Sequence, residues 1–269
     1  MTPEGFRVAI FGLGEAGSLI AADLAKAGAH VHGYDPAAVA TPAGIVRHET
    51  PGPSVESSLM VLAVTAAVDA KNALGQSLSR VAPETIYADL STAPPSLKED
   101  LASTAVSKGL LFVDVALMGT VPGNGLATPS LASGPGAARF AAVINEVGGN
   151  VRVVGDRPGE AAARKLLRSV VTKGLTALLM EALEAAAVHG EADWLRDHLV
   201  ELITEADGTL LDRFISGTFK HIDRRIVEME SAREFFESLA VPAPMTTATV
   251  DTLRRIRSEG LPSNLDSQV

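Results

Sequence analysis

The chain has 269 residues, of which 46% are hydrophobic and only 4% aromatic, and its formal net charge is −9. This length allows one large domain or two smaller ones, and the acidic balance without a basic stripe argues against nucleic acid as a partner. The sequence contains no cysteine, which excludes disulfides, a thiolate metal site and a cysteine nucleophile.

The first part of the chain alternates short β-branched runs with helical patterns, which predicts a parallel sheet with crossover helices. We predict strands at 6–11, 29–34, 59–64, 85–89, 110–115 and 151–154, with a weaker one at 44–48. Helices are predicted between them at 16–27, 67–79, 95–107 and 136–147. Proline and glycine mark the joints between these elements.

The pattern changes after residue 156, where no further strand is predicted. Helical periodicity is found at 160–188, 192–206, 207–216, 220–239 and 246–258. The sequence therefore predicts a doubly wound α/β domain over residues 1–156 and an all-α substrate and dimerisation domain over residues 157–269.

A glycine motif, G-x-G-x-x-G, joins the first predicted strand to the first predicted helix. Gly12 permits the tight turn, Gly14 leaves room for a pyrophosphate, and Gly17 allows close packing of helix and strand. Leu13, Glu15 and Ala16 complete the segment, whose backbone amides at the helix start would face the phosphates. The motif predicts a Rossmann-type dinucleotide site, although glycines that serve packing alone remain the alternative.

The second predicted strand ends in Asp35. A carboxylate at this position accepts hydrogen bonds from the adenosine ribose 2′-hydroxyl, and its charge repels a 2′-phosphate. We therefore predict NAD or NADP as the cofactor, with NAD preferred.

Hydroxyl side chains follow the next two buried strands. Thr65 comes after the strand at 59–64, and Ser91 and Thr92 come after the strand at 85–89. Because the carboxyl ends of parallel strands face the ligand crevice, these hydroxyls are candidates for cofactor contacts. Helix capping is an equally simple role for them.

A glycine-rich loop follows the strand at 110–115 and contains Met118, Gly119 and Thr120. Its backbone amides could bind a substrate carboxylate. The alternative is a tight connection to the next strand.

The long helix predicted from residue 160 begins beside the domain boundary, where clefts form. Lys165, Ser169 and Thr172 follow at i, i+4 and i+7 and so share one helical face. A buried lysine can exchange protons near neutral pH, and Lys173 adds charge suited to an anionic substrate. A solvated surface charge is the alternative for each lysine, and no metal site is predicted.

Together and in order, these segments resemble the β-hydroxyacid dehydrogenase superfamily, which includes 6-phosphogluconate dehydrogenase. The resemblance rests on the glycine motif, on the D-x-S-T-x-x-P segment at 89–95, on the loop at 114–125 and on the helix at 159–182. It is strongest to a bacterial branch with its own helical C-terminal domain.

This resemblance implies roles for the residues on the long helix. Lys165 takes the place of the catalytic lysine, a general acid/base toward the substrate hydroxyl. Ser169 stands where the family has an asparagine that hydrogen-bonds this hydroxyl, and Met118 stands where it has a serine. Thr172 replaces a glutamate that acts in decarboxylation, and Lys173 replaces a tyrosine that helps to hold a substrate phosphate.

The sequence thus predicts an NAD(P)-dependent oxidoreductase for a small, anionic hydroxy or carbonyl substrate. An imine or carbonyl reductase of a biosynthetic pathway is the first alternative, favoured by the apolar Met118. A cofactor-binding sensor without catalysis is the second. The resemblance implies a homodimer formed through the C-terminal helices.

The expected location is the cytoplasm, without a membrane partner. The N-terminal residues do not form a basic and then apolar leader, and the apolar run at 59–64 is too short to span a bilayer.

Overall fold

A computed structural model of the chain describes residues 5–37 and 40–260. It divides into two compact units, Met1–Arg168 and Ser169–Val269, and the division falls within one long helix. The domain boundary drawn from the sequence at 156/157 coincides with the end of the sheet and stays a prediction.

The first unit is built on a sheet in which eight strands are described, in the order β3-β2-β1-β4-β5-β6-β7-β8. Every neighbouring pair is parallel except β6 and β7, which run antiparallel. The strands are β1 (Arg7–Phe11), β2 (His30–Tyr34), β3 (Ile45–Arg47), β4 (Met60–Ala63), β5 (Ile86–Asp89), β6 (Leu111–Leu117), β7 (Ser130–Ser133) and β8 (Val151–Gly155).

Helices cover both faces of this sheet. They are α1 (Glu15–Lys26), α2 (Pro51–Val55), α3 (Ala70–Ser77), α4 (Pro95–Ser107) and α5 (Ala137–Glu146), followed by α6 (Glu160–His189), which continues into the second unit. One apolar core joins the sheet to α1 and α5, and a second joins it to α3 and α4. The strands β4 and β5 are buried along their whole length, as expected for strands covered on two faces.

The predicted Rossmann-type α/β class is confirmed, with two additions that the sequence did not predict. The strand β7 lies in a segment for which no element was predicted, and it makes the sheet mostly rather than wholly parallel. Pro51, Gly52 and Pro53, which by their residue types were expected to mark a joint, begin the short helix α2, because proline is compatible with the first turn of a helix.

The second unit is helical, as predicted. After α6 it contains α7 (Ala192–Thr204), α8 (Gly208–Lys220), α9 (Ile222–Ser238) and α10 (Pro244–Glu259). The helices α9 and α10 pack together, whereas α7 and α8 have no buried residue. In the described part of the chain, no helix is both long and apolar enough to cross a membrane.

Candidate functional site

The glycine motif lies between β1 and α1, and its three glycines have different surroundings. Gly12 has a φ of +92°, and a Cβ there would collide with the Val64 carbonyl. A Cβ on Gly17 would collide with the Gly12 carbonyl, whereas a Cβ on Gly14 would meet nothing within 4 Å. The backbone is therefore packed at Gly12 and Gly17 and open at Gly14, where a phosphate would approach.

A cavity of about 440 Å³ opens at this motif, next to β1, β2 and β4. Its lining includes Gly12, Gly14, Asp35 and Thr65. The Thr65 hydroxyl is buried and has no hydrogen-bond partner within the described residues. A buried hydroxyl without a partner costs free energy, so its position beside the cavity suits a ligand contact. These residues fit a dinucleotide.

The Asp35 carboxylate is tied to the backbone around the cavity. Its Oδ2 accepts a hydrogen bond of 2.7 Å from the Leu13 amide, and its Oδ1 accepts one of 2.8 Å from the Ala37 amide. Each carboxylate oxygen can accept a second hydrogen bond, so the group retains capacity for a ribose hydroxyl. Arg47, which the sequence reading missed, donates from Nη2 to the Asp35 carbonyl at 3.1 Å.

The carboxyl end of β5 meets the first turns of α6. The Lys165 Nζ donates a hydrogen bond of 3.0 Å to the Thr92 Oγ1. Ser91 is buried and points elsewhere, since its hydroxyl donates to the Asp89 Oδ2 at 2.8 Å. Of the two predicted hydroxyls after β5, Thr92 therefore contacts the predicted general acid/base, and Ser91 binds an internal carboxylate.

The loop after β6 also contacts α6. The Arg168 guanidinium donates to the Met118 carbonyl at 2.5 Å, and the Met118 side chain packs on the apolar residues Ala116, Leu131 and Ala161. The loop containing Gly119 and Thr120 leads into β7, so it is a connection between strands. Substrate binding by its backbone amides stays a prediction.

Asp23 of α1 anchors the far end of this loop. Its Oδ2 accepts a hydrogen bond of 3.0 Å from the Leu126 amide, and this bond is the main reason why the pKa of the Asp23 carboxyl lies below its usual value. The loop conformation therefore depends on a charged side chain that the sequence reading did not identify.

The remaining predicted site residues lie further along α6, in the second unit. The helix is unbroken, so Ser169 and Thr172 follow Lys165 at the predicted spacing on one face. Ser169 is half-buried, whereas Thr172 and Lys173 are exposed. The Thr172 hydroxyl donates to the Ser169 carbonyl at 3.4 Å.

A buried charge cluster behind Thr92 and Lys165 was missed by the sequence reading. It consists of Lys98 on α4 and of Asp89 and Asp114 on β5 and β6, all fully buried. The helical periodicity of α4 could have indicated that Lys98 is buried, because Leu101, Ala102 and Ala105 share the inward face with it. A lysine on an apolar helix face predicts a buried carboxylate partner.

Two histidines pair at the β3 edge of the sheet. The His32 Nδ1 lies 2.7 Å from the His48 Nε2, and the two rings stack. Desolvation, with a smaller contribution from Arg7, lowers the pKa of His32 to about 4. Among the described residues no group of three or more histidine, aspartate or glutamate side chains could hold a metal ion.

Comparison with family models gives two matches. The model for the NAD binding domain of 6-phosphogluconate dehydrogenase matches residues 7–155, which is more than half of the chain. The model described as a domain of unknown function, DUF1932, matches residues 186–256. The first match covers the sheet, and the second covers most of α7 to α10.

Similar proteins include dehydrogenases and reductases. The 3-hydroxyisobutyrate dehydrogenase of Pseudomonas aeruginosa is 31% identical over 199 residues, a match to 68% of this chain and 65% of that protein. The chain thus spans less than two thirds of that relative's length.

The solved structures that cover nearly the whole chain include the following two. The conserved hypothetical protein of Sinorhizobium meliloti 1021 is 29% identical with a TM-score of 0.62, covering 97% of this chain and 92% of that one. A variant imine reductase of Myxococcus stipitatus, in complex with NAD⁺, has a TM-score of 0.80 at 19% identity and covers 94% of each chain. At this identity the second likeness concerns the fold alone.

Proposed function

The chain belongs to the family of the NAD-binding domain of 6-phosphogluconate dehydrogenase, and from this membership we propose that it is an NAD(P)-dependent oxidoreductase. The substrate class is a small, anionic hydroxy or carbonyl compound. One observation carries the catalytic part of the proposal, namely the 3.0 Å contact between Lys165 Nζ and Thr92 Oγ1. It places a lysine at the carboxyl edge of the sheet that bears the glycine motif, which is the edge where such sheets bind ligands.

The cofactor would be held by the cavity beside α1. Gly12, Gly14 and Gly17 shape the backbone for a pyrophosphate, and the amides at the start of α1 favour its negative charge. Thr65 offers a buried hydroxyl that has no hydrogen-bond partner among the described residues. When bound, the nicotinamide exchanges a hydride with the substrate carbon.

Lys165 is the proposed general acid/base. In the oxidative direction its neutral Nζ accepts the proton of the substrate hydroxyl, and in the reductive direction its ammonium returns a proton to the substrate oxygen. Thr92 holds the Nζ by accepting one of its hydrogen bonds. Ser169 would bind the same substrate oxygen.

Substrate selection would involve residues on either side of Lys165. The backbone around Met118, Gly119 and Thr120 would bind a substrate carboxylate. Thr172 and Lys173 would contact the rest of an anionic substrate. Thr172 is not an acid, so decarboxylation is not part of the proposal.

NAD is the proposed preferred cofactor. The Asp35 carboxylate, already fixed by the Leu13 and Ala37 amides, is suited to a ribose diol and repels a 2′-phosphate. Arg47 opposes this preference, since its guanidinium lies against the Asp35 carbonyl and its positive charge would attract the 2′-phosphate of NADP. Comparing the Kd of NADH with that of NADPH tests the preference.

The experiment on catalysis measures NADH or NADPH absorbance with a panel of 3-hydroxy acids, their keto acids and cyclic imines. Lys165→Ala should lower kcat by about 100-fold or more, within the range for loss of a general acid or base. Lys71→Ala removes an exposed lysine that pairs with Asp100 and should leave kcat unchanged. Undiminished turnover of Lys165→Ala would refute the mechanism.

A second candidate is an imine or carbonyl reductase, favoured by the apolar packing of Met118. Turnover of cyclic imines without turnover of hydroxy acids would select this candidate. Tight NADH binding with no turnover of any compound would instead indicate the sensor considered from the sequence.

We also propose a homodimer formed through the C-terminal helices. The supporting observation is that neither α7 nor α8 has a buried residue. Even the large apolar side chains of Leu211 and Phe214 on α8 are exposed. An apolar cavity of about 610 Å³ lies in the same unit, lined by Trp194, Phe235 and Phe236 among others. Helices of this length are marginal in water without packing, so a second copy is the expected cover.

A further inference from the structure

Lys98 is fully buried, and its ammonium contacts internal carboxylates and not a ligand cavity. Its Nζ donates to the Asp89 Oδ2 at 2.8 Å and to the Asp89 carbonyl at 3.0 Å, and it lies 3.2 Å from the Asp114 Oδ1. Burying three charges is costly, and well-packed apolar residues often stabilise a core equally well. Stability is therefore a weak explanation for the cluster.

Asp114 connects this cluster to α6. Its Oδ2 accepts hydrogen bonds from the Ala162 amide at 2.9 Å and from the Ser133 hydroxyl at 3.2 Å. The same Ser133 hydroxyl accepts a hydrogen bond of 3.0 Å from the Ala161 amide. These amides belong to the first turn of α6, where a helix has no internal acceptors for them. An internal carboxylate therefore fixes the start of α6, one turn before Lys165.

Asp89 connects the cluster to the other half of the site. Its carboxylate accepts from the Ser91 hydroxyl at 2.8 Å and from the Ser91 amide at 3.3 Å. These bonds fix the turn that carries Thr92, whose hydroxyl accepts from Lys165. Both partners of the Thr92–Lys165 contact are thus attached to carboxylates that share the Lys98 ammonium.

We propose that Lys98 is a positioning residue for Lys165. Its ammonium holds Asp89 and Asp114 together, and they in turn hold the Thr92 turn and the start of α6 in the register that sets the Lys165 Nζ against Thr92. The Asp114 Oδ1 accepts no hydrogen bond from the described residues, so the ammonium of Lys98, 3.2 Å away, compensates its charge. The proposal rests on the catalytic role of Lys165 only for its effect on turnover.

The first test measures the position of Lys165 without any activity. The unliganded protein is treated with an amine-acylating reagent, and the rate of modification at Lys165 is followed by mass spectrometry. Lys98→Met should raise this rate by about threefold or more, because the Thr92 contact loosens when the network behind it is broken. Lys71→Met, which breaks an exposed pair between α3 and α4, should not change it.

The second test measures steady-state kinetics of the same variants. Misplacement of a reacting group by about 1 Å can cost about 100-fold in rate, so Lys98→Met should lower kcat by about 10- to 100-fold. KM and the Kd of NADH should change less than kcat, since the hydrogen bonds of Lys98 in the described structure go to Asp89 and not to the glycine motif. In a Lys165→Ala background, Lys98→Met should have no further effect on kcat.

Ser133→Ala is a second variant for the case that Lys98→Met does not fold. It removes only the hydroxyl between Asp114 and the Ala161 amide and should reproduce the change in labelling to a smaller extent. Unchanged Lys165 labelling in folded Lys98→Met, or in Ser133→Ala if Lys98→Met does not fold, overturns the proposal. Changed labelling without turnover of any substrate would instead refute the proposed function and leave the positioning role supported.

Discussion

The hydroxyl of Thr65 is buried at the end of β4 beside the cofactor cavity, and no described residue satisfies it. Replacing Thr65 by valine removes this hydroxyl while keeping the branched shape. A single hydrogen bond contributes about 0.5–1.5 kcal/mol, so the Kd of NADH should rise by about 2- to 12-fold. The melting temperature without ligand should stay the same or rise, because an unsatisfied buried group is removed. Isothermal titration and thermal denaturation measure the two effects.

Thr104→Val is the matched control for this prediction. Thr104 lies on the exposed side of α4, where its hydroxyl donates to the Asp100 carbonyl of its own helix. It should not change the affinity for NADH. An unchanged Kd in Thr65→Val would show that this hydroxyl is not a ligand contact and would weaken the assignment of the cavity.

Residue types and spacing predicted some residues of the candidate site and missed others. Gly12, Gly14 and Gly17 have the surroundings expected from the motif because each needs a backbone conformation or clearance that a local pattern reveals. Lys98 was missed because its partners Asp89 and Asp114 come from two different strands. Only the parallel pairing of β5 with β6 brings those two carboxylates together.

At the scale of elements, the sequence predicted long periodic helices and buried strands, because burial on two faces leaves a strong apolar pattern. It did not predict β7, a four-residue strand with a serine at each end. Its identity as a strand depends on antiparallel pairing with β6, in which Ser133 lies opposite Asp114. The pairing thus explains both the unpredicted strand and the polar residue that it supplies to the buried cluster.

The start of α10 provides an element-scale prediction. Glu181 of α6 is buried, and its carboxylate accepts from the Met245 amide at 2.6 Å, the Thr246 amide at 2.8 Å and the Thr246 hydroxyl at 2.7 Å. It therefore caps the first turn of α10 from a distant part of the sequence. Glu181→Ala should lower the free energy of unfolding of the helical unit by about 1–3 kcal/mol, measured by thermal denaturation.

Glu184→Ala is the control on the same helix. Glu184 lies three residues later and is exposed, so its removal should change the unfolding free energy by less than about 0.5 kcal/mol. Equal losses in the two variants would contradict the capping role of Glu181. The sequence could not reveal this cap, since a glutamate within a helical pattern is ordinarily solvated.

At the scale of the whole molecule, the two units differ in how much of their apolar surface is buried. The first unit encloses two apolar cores, whereas many large apolar side chains of the second are exposed, including Val170, Met180, Trp194 and Phe214. The sequence predicted these helices correctly because amphipathic periodicity is a local property. What covers their apolar faces is not local, and the homodimer remains a proposal.

The face of α8 allows a direct test of that homodimer. Leu211 and Phe214 lie on one side of the helix and are half exposed, and Ser216 lies on the other. Phe214→Lys would place a charge in the interface, twice in a two-fold symmetric dimer. Burial of a phenylalanine contributes about 1.5–3 kcal/mol per copy, so the loss of two copies should raise the dimer Kd by about 100-fold or more. Sedimentation equilibrium across a range of concentrations measures this shift.

Ser216→Lys carries the same charge on the same helix and separates an interface effect from a change in net charge. It should leave the dimer Kd unchanged, because its side chain points away from the apolar face of α8. Helicity should also fall in dissociated Phe214→Lys, since a 13-residue helix without a packed face is marginal in water. A wild-type protein that sediments as a monomer with α8 intact would contradict the proposal, and so would equal effects of the two substitutions.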